Sequence, residues 1–152
     1  MQPQIIPVIY RSDDDPNFLE MIKDEKYSDS LFLFKDSHDA HTTTIPSTNR
    51  GDLRPYNRYG EHRDYPRSAG VVIGPTDNQV YSDNLSMVYK SIDEIRELIE
   101  EYHYKRIFFL ALRGVFRPLF ANLLISREDI GKITNKIYEL GIYTPYQDLS
   151  RY

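Results

Sequence analysis

Three apolar runs, each bounded by polar residues, organise this chain. Leu31-Phe32-Leu33-Phe34, Ala69-Gly70-Val71-Val72-Ile73 and Arg106-Ile107-Phe108-Phe109-Leu110-Ala111-Leu112 are near-continuously apolar rather than alternating, the pattern of strands covered on both faces. Residues 5–10 read as a further short strand. Pro7 interrupts it and suits an edge or a strand start, because proline cannot donate to a ladder. Between these runs the spacing turns helical. Asp15-Pro16 is a helix start followed by Phe18, Leu19 and Ile22 on one face. Ser91-Ile92-Asp93-Glu94 reads as a capping box opening a helix through Ile92, Ile95, Leu98 and Ile99 to about Tyr102. Ser126-Arg127-Glu128-Asp129 opens the last helix, which carries Ile130, Ile133, Ile137 and Leu140 and meets Gly141 where a left-handed cap is expected.

The order strand, helix, strand, long loop, strand, helix, strand, helix predicts one three-layer α/β domain, a mainly parallel sheet flanked by helices as in Rossmann-like folds. That domain is expected over residues 1–141, with a long irregular loop at 36–67 punctuated by Pro46, Gly51, Pro55, Gly60 and Pro66, and a C-terminal arm at 142–152. In such sheets ligands gather at the carboxyl ends of strands, so the loops after Phe34, Ile73 and Leu112 are expected to share one rim.

Composition narrows the chemistry. The 152 residues are 40% hydrophobic and 28% charged with a formal net charge of −4, which argues against a dedicated polyanion binder and makes nucleic acid an unexpected partner. There is no cysteine, so disulfides, thiolate metal sites and cysteine nucleophiles are excluded. No run approaches the roughly 20 apolar residues of a membrane span, and Met1-Gln2-Pro3-Gln4 lacks the basic start of a signal peptide, so no membrane partner and a cytoplasmic, intracellular location are expected. No Gly-x-Gly-x-x-Gly, Walker A, nucleophile-elbow or His-Glu-x-x-His motif occurs, and no cofactor is expected.

Three constellations remain. His38, Asp39 and His41 concentrate possible metal ligands, but the segment lacks ligand geometry and reads better as an exposed polar loop. Arg50, Arg54, Arg58, Arg63 and Arg67 recur among Tyr56, Tyr59 and Tyr65. They offer bidentate grips for phosphate, or else pair with Asp52, Glu61 and Asp64 on a solvated loop. Arg113-Gly114 follows the best-defined strand, where backbone N–H groups often hold an anion. Asp13-Asp14-Asp15 is explained by helix capping.

The succession Leu31-Phe32-Leu33-Phe34-Lys35-Asp36-Ser37-His38, then Ser68-Ala69-Gly70-Val71-Val72-Ile73-Gly74-Pro75-Thr76, then a helix and Arg106-Ile107-Phe108-Phe109, resembles the macro-domain-like proteins of phages and large viruses. Asp36-Ser37 stands at the family's first turn and Gly74-Pro75-Thr76 resembles its strand end. The glycine-rich loops are degenerate, with Arg50-Gly51-Asp52-Leu53-Arg54 and Arg113-Gly114-Val115-Phe116 in their places. The resemblance implies a macro-like binding protein, rather than an enzyme, with a degenerate site for a phosphate-bearing nucleotide ligand such as ADP-ribose. Asp36 and Ser37 would orient it, and Arg54, Arg113 and the Gly114 N–H would take phosphate; a viral chain of this kind would work in host cytoplasm. The alternative is a protein–protein interaction module with a vestigial pocket, its Tyr/Arg loop and arm contacting another chain.

Overall fold

The computed structural model describes residues 2–9, 18–45, 53–60, 64–76, 79–81, 84–112, 115–116 and 125–145. Strands β1 (Gln4–Ile9), β2 (Ser30–Ser37), β3 (Ser68–Gly74), β4 (Arg106–Leu112) and β6 (Ile142–Tyr143) form a parallel sheet in the order β3-β2-β4-β1-β6. Short β5 (Val115–Phe116) pairs antiparallel with Ala111 and Leu112 at the end of β4. The expected three-layer α/β architecture is therefore present, with helices α1 (Phe18–Met21), α2 (Ser86–Tyr102) and α3 (Arg127–Tyr138) flanking the sheet. No helix among the described residues is long and apolar enough to cross a membrane.

Alternation along β2 divides the core in two. Leu31 and Leu33 join Val71, Ile73, Ile92, Ile95, Ile107, Phe109, Ile133 and Ile137 on the face covered by α2 and α3. Phe32 and Phe34 join Phe18, Ile22, Tyr27, Leu53 and Phe108 on the other. The centre of that second layer is aromatic: Phe32 and Phe108, on neighbouring strands, stack with centroids 5.2 Å apart, and Phe18 and Tyr27 meet them edge-on.

Pro7 fits β1 for a positional reason. The Gln4 N–H donates to Lys105 beside β4, whereas Ile5 accepts from Thr144 on the β6 side, so alternation turns Pro7 toward β6. β6 pairs only with Gln4 and Ile5, so the ladder has ended before a Pro7 N–H would be needed.

Several boundaries differ from the pattern reading. β2 runs on to Ser37, so Lys35, Asp36 and Ser37 belong to a strand buried along its whole length, and the last two leave the expected 36–67 loop. Hydrophobicity stops at Phe34, but the strand does not, because the Asp36 charge is matched inside the fold. Helix α2 starts at Ser86, and Ser91 lies within it as an edge cover: its Oγ accepts from the Val72 N–H at 2.9 Å and donates to the Val88 carbonyl at 2.7 Å. Glu94 is accordingly no capping residue. Ser126 does cap α3, accepting from the Asp129 N–H at 3.0 Å. Gly141 takes no left-handed φ; it is small because an added Cβ would lie 2.2 Å from the Pro3 carbonyl oxygen, where the chain leaving α3 comes alongside β1. The left-handed residue is His103, φ 55°, which ends α2. The arm begins inside the sheet, its residues Ile142 and Tyr143 forming β6. Asp13, Asp14 and the Asp15-Pro16 start lie outside the described residues.

Two glycines give opposite expectations. Gly141→Ala forces a backbone shift and is expected to cost about 1–3 kcal/mol. Gly131→Ala, inside α3 with nothing within 4 Å of the added methyl, is expected to stabilise by about 0.5–1 kcal/mol. Urea unfolding of the two variants checks both signs.

Candidate functional site

β2 hydrogen-bonds to β4 only through Ser30, Leu31 and Phe32, opposite Arg106, Ile107 and Phe108. β1 holds one edge of β4 as far as Ala111, so β5, which also pairs with Ala111, must lie on the other edge, in the space opened as β2 departs. The chain goes from β2 to β3 on one side of the sheet; from β4 it passes first through β5 in that opened space and later reaches β6 on the far side of β1. A crevice between strands whose connections diverge is where doubly wound sheets hold ligands. The loops after β2 and β3 meet at this rim: the N–H groups of His38 and Asp39 donate to Gly74 and Pro75 at 2.9 and 3.1 Å.

The chemistry beside the rim is built on Asp36. A register shift between Asp36 and Ser37 breaks the β2–β3 ladder, the kind of irregularity that re-aims side chains at strand ends. The Asp36 carboxylate is 1% exposed. Its Oδ1 accepts from the Ser37 N–H at 2.8 Å and from the Arg54 guanidinium at 2.7 Å. Its Oδ2 accepts from His41 Nδ1 at 2.7 Å, and His41 Nε2 donates in turn to Glu94 Oε2 of α2 at 2.6 Å. Carboxylates only accept, so the imidazole between two of them carries both protons. Arg54, Asp36, His41 and Glu94 thus form a chain of alternating charge whose sum is zero.

Gly70 makes room for it. A Cβ there would fall 2.1 Å from Asp36 Oδ2, so the carboxylate lies over a strand position that has no side chain. Arg54 comes from a 3₁₀ turn, Arg54–Tyr56, in the middle of the long loop, and also donates to the Ile45 carbonyl at 3.0 Å. Other ties hold the same loop: Ser68 Oγ donates to the Leu53 carbonyl and Asn57 Nδ2 to that of Thr43. His41, Arg58, Tyr59, Gly70, Ser91 and Glu94 border a cleft at the outer edge of β3 with about 20 Å³ of space, room for a water molecule.

The predicted site residues fare differently. Asp36, Ser37 and Arg54 are brought together, but they bind one another: Arg54 is 1% exposed and Ser37 Oγ donates to Asp39. Arg113 and Gly114 lie outside the described residues, as do Arg50 and Arg63. His38 is exposed and His41 is committed to carboxylates on both nitrogens, so the pair does not converge on a metal; among the described residues no group of three or more His, Asp or Glu side chains is arranged to hold one. Glu94 and Gly70 were missed. Glu94 is 53 residues from His41 and looks like any polar position on an amphipathic helix. Glycine inside a continuous strand is the one available signal, since it marks a close approach. Lys35, 5% exposed, is a second buried charge on β2 that the pattern assigned to a loop.

Comparison of the chain with protein-family models, with curated proteins and with solved structures found no match.

Burial alone would lower the His41 pKa, but the hydrogen bonds and charges of Asp36 and Glu94 outweigh it and raise the group from 6.5 to about 9. The bond from His41 holds Glu94 below its ordinary 4.5, against the opposing effect of burial. A raised folded-state pKa gives stability that is complete below the unfolded value of 6.5 and lost as pH rises through about 9; the lowered Glu94 value gives stability present above 4.5 and lost below it. These two groups therefore favour the fold most between pH 4.5 and 6.5. Unfolding free energy is expected to fall by on the order of 2–3 kcal/mol from the acidic side of this window to pH 9 and above, and His41→Gln to flatten that limb. Gly70→Ala, which pushes on the Asp36 carboxylate, is expected to cost about 3 kcal/mol and to blunt the same limb. A urea series at several pH values reads both.

Proposed function

We propose that this chain is a binding protein that takes a phosphate-bearing nucleotide ligand at the carboxyl ends of β2 and β4, ADP-ribose being the case that the macro-like resemblance implies. The observation that carries the reading is the parting of β2 from β4 beyond Phe32 and Phe108, at the carboxyl ends of the two central strands. Ser37 ends β2, and Arg113-Gly114 follows β4 directly in the sequence. Arginine grips a diphosphate bidentately, and a glycine lets backbone N–H groups approach it. Asp36 and Arg54 serve this site from behind. Their charges are spent on each other, so they fix the wall, while the ligand's phosphates are met by Arg113 and the Gly114 N–H.

The competing class is a protein interaction module with a vestigial pocket. It is favoured by Ile142 and Tyr143, each 57% exposed on β6 at the end of the sheet. In that reading the buried ion network is all that remains of a site.

Thermal unfolding and calorimetric titration with ADP-ribose, ADP and AMP separate the two. Saturable binding that raises the unfolding temperature is expected, and Arg113→Ala should weaken it about tenfold, the loss of one charge-assisted contact. Absence of binding by all three ligands sinks the nucleotide reading and leaves the interaction module. Binding that survives Arg113→Ala unchanged removes that arginine from the site.

A further inference from the structure

At the amino ends of β2, β3 and β4, opposite the rim, Tyr65, Tyr102 and Tyr104 line an open cleft of about 290 Å³ together with Ser28, Asp29 and His103. The sequence brings them there by three different routes. Asp29 immediately precedes β2, Tyr65 lies just before β3, and the left-handed His103 ends α2 and delivers Tyr104 to the start of β4. Tyr65 and Tyr104 are held by their hydroxyls, which donate to the carbonyls of Ser28 and Pro66. Tyr104 is a core residue, 4% exposed, and forms the floor of the cleft, while half-buried Tyr65 and exposed Tyr102 form its sides.

The rings are inclined rather than parallel. Tyr104 meets Tyr65 at 67° and Tyr102 at 51°, with centroids 6.2 Å apart in each case. A flat base stacks parallel to a ring, whereas a concave set of mutually tilted rings suits a rounded group. Its electrostatics favour a cation. Arg106 and Ser30 both converge on Asp29 Oδ1, which leaves Oδ2 to the cleft and solvent. The C-terminal end of the α2 dipole adds partial negative charge. Arg67, whose charge also acts on Tyr104, is held by the carbonyls of Tyr27 and Ser30. Among the described residues, no lysine or arginine of the chain sits over Tyr65, Tyr102 or Tyr104.

We propose that this tyrosine cup binds a methylated or quaternary ammonium group, with the accessible rings of Tyr65 and Tyr102 supplying cation–π attraction and the part-exposed Asp29, though paired with Arg106 through Oδ1, contributing negative charge through Oδ2. It is separate from the nucleotide site proposed above, and either can stand without the other.

Amide chemical shifts of the full chain, followed at His103 and Tyr104 during titration at constant ionic strength, test it. Tetramethylammonium and choline are expected to saturate, and the neutral tert-butyl analogue of choline to bind about tenfold more weakly. Tyr102→Ala, at a residue already 37% exposed, should weaken choline about fivefold while Tyr102→Phe retains it, because the ring and not the hydroxyl is needed. A trimethyl-lysine peptide that binds more tightly than choline assigns the group to a protein; a peptide that binds no better assigns it to a free small molecule. Equal binding of the neutral analogue, preference for adenosine, or unmoved amides with every ammonium overturns the proposal, and the first two readouts use the unaltered protein.

Discussion

Burying a carboxylate at the end of a central strand is the constraint on which the rest of this architecture turns. An ionised Asp36 taken out of water costs several kcal/mol even after relaxation, and β2 can run to Ser37 only because that cost is offset at both oxygens. The offset comes from distant parts of the chain: Arg54 from the middle of the long loop, His41 from the turn after β2, and through His41 the Glu94 of α2. One buried charge therefore fixes the path of a loop and ties it to a helix around the outer edge of β3. The arrangement is neutral as a whole, and removing any member leaves a net charge within it. That makes the network cooperative, and it explains why Gly70 must stay small on the adjoining strand.

This constraint also shapes the two ends of the sheet. Beyond Phe32 the strand parts from β4 and β5 pairs with the freed edge, while Arg54 holds Asp36 at the carboxyl end of β2 to the loop. The rim is consequently walled by groups whose charges are already matched. At the amino end the described charges form a smaller and more exposed set, Asp29 with Arg106 and Ser30. There the strands are preceded by tyrosines and by one aspartate that keeps an oxygen toward solvent, so the accessible chemistry is aromatic and weakly acidic. The same sheet thus offers surfaces of different character at its opposite ends, separated by the apolar layers around Phe32, Phe108 and Ile95.

What was legible in the sequence follows from which interactions are local. The apolar runs of β3 and β4, the Ser126 cap and the end of α2 were readable because each depends on neighbouring residues. The extension of β2 through Lys35, Asp36 and Ser37 was not, since polar residues enter a buried strand only when partners remote in sequence meet them. The start of α2 was misread for a related reason. Ser91 and Glu94 have the spacing of a capping box, but Ser91 serves the free N–H of an edge strand and Glu94 serves a histidine. Gly141 was expected to supply a left-handed φ and instead supplies space beside Pro3, while His103 adopts the conformation that glycine would make easy. Asp36, Ser37 and Arg54 stand together in the fold, and the sequence could not say that they would satisfy each other.

That last point decides how substitutions here must be interpreted. A residue 1% exposed has no face to give a ligand, so Arg54 acts on any bound molecule only through the wall it holds. Breaking a buried ion pair typically costs 3–5 kcal/mol, a large share of the 5–15 kcal/mol that keeps an ordinary domain folded. Lost binding after a change at Asp36 or Arg54 would then report a displaced β2 and a loosened loop, not a missing contact. Side chains that the fold does not consume carry the opposite signature. Tyr102 can be altered with little effect on the core, and a change there that moves binding while leaving stability in place identifies a surface that recognises something. The buried charges specify the scaffold, and the groups left unmatched at the strand ends are where recognition has to be sought.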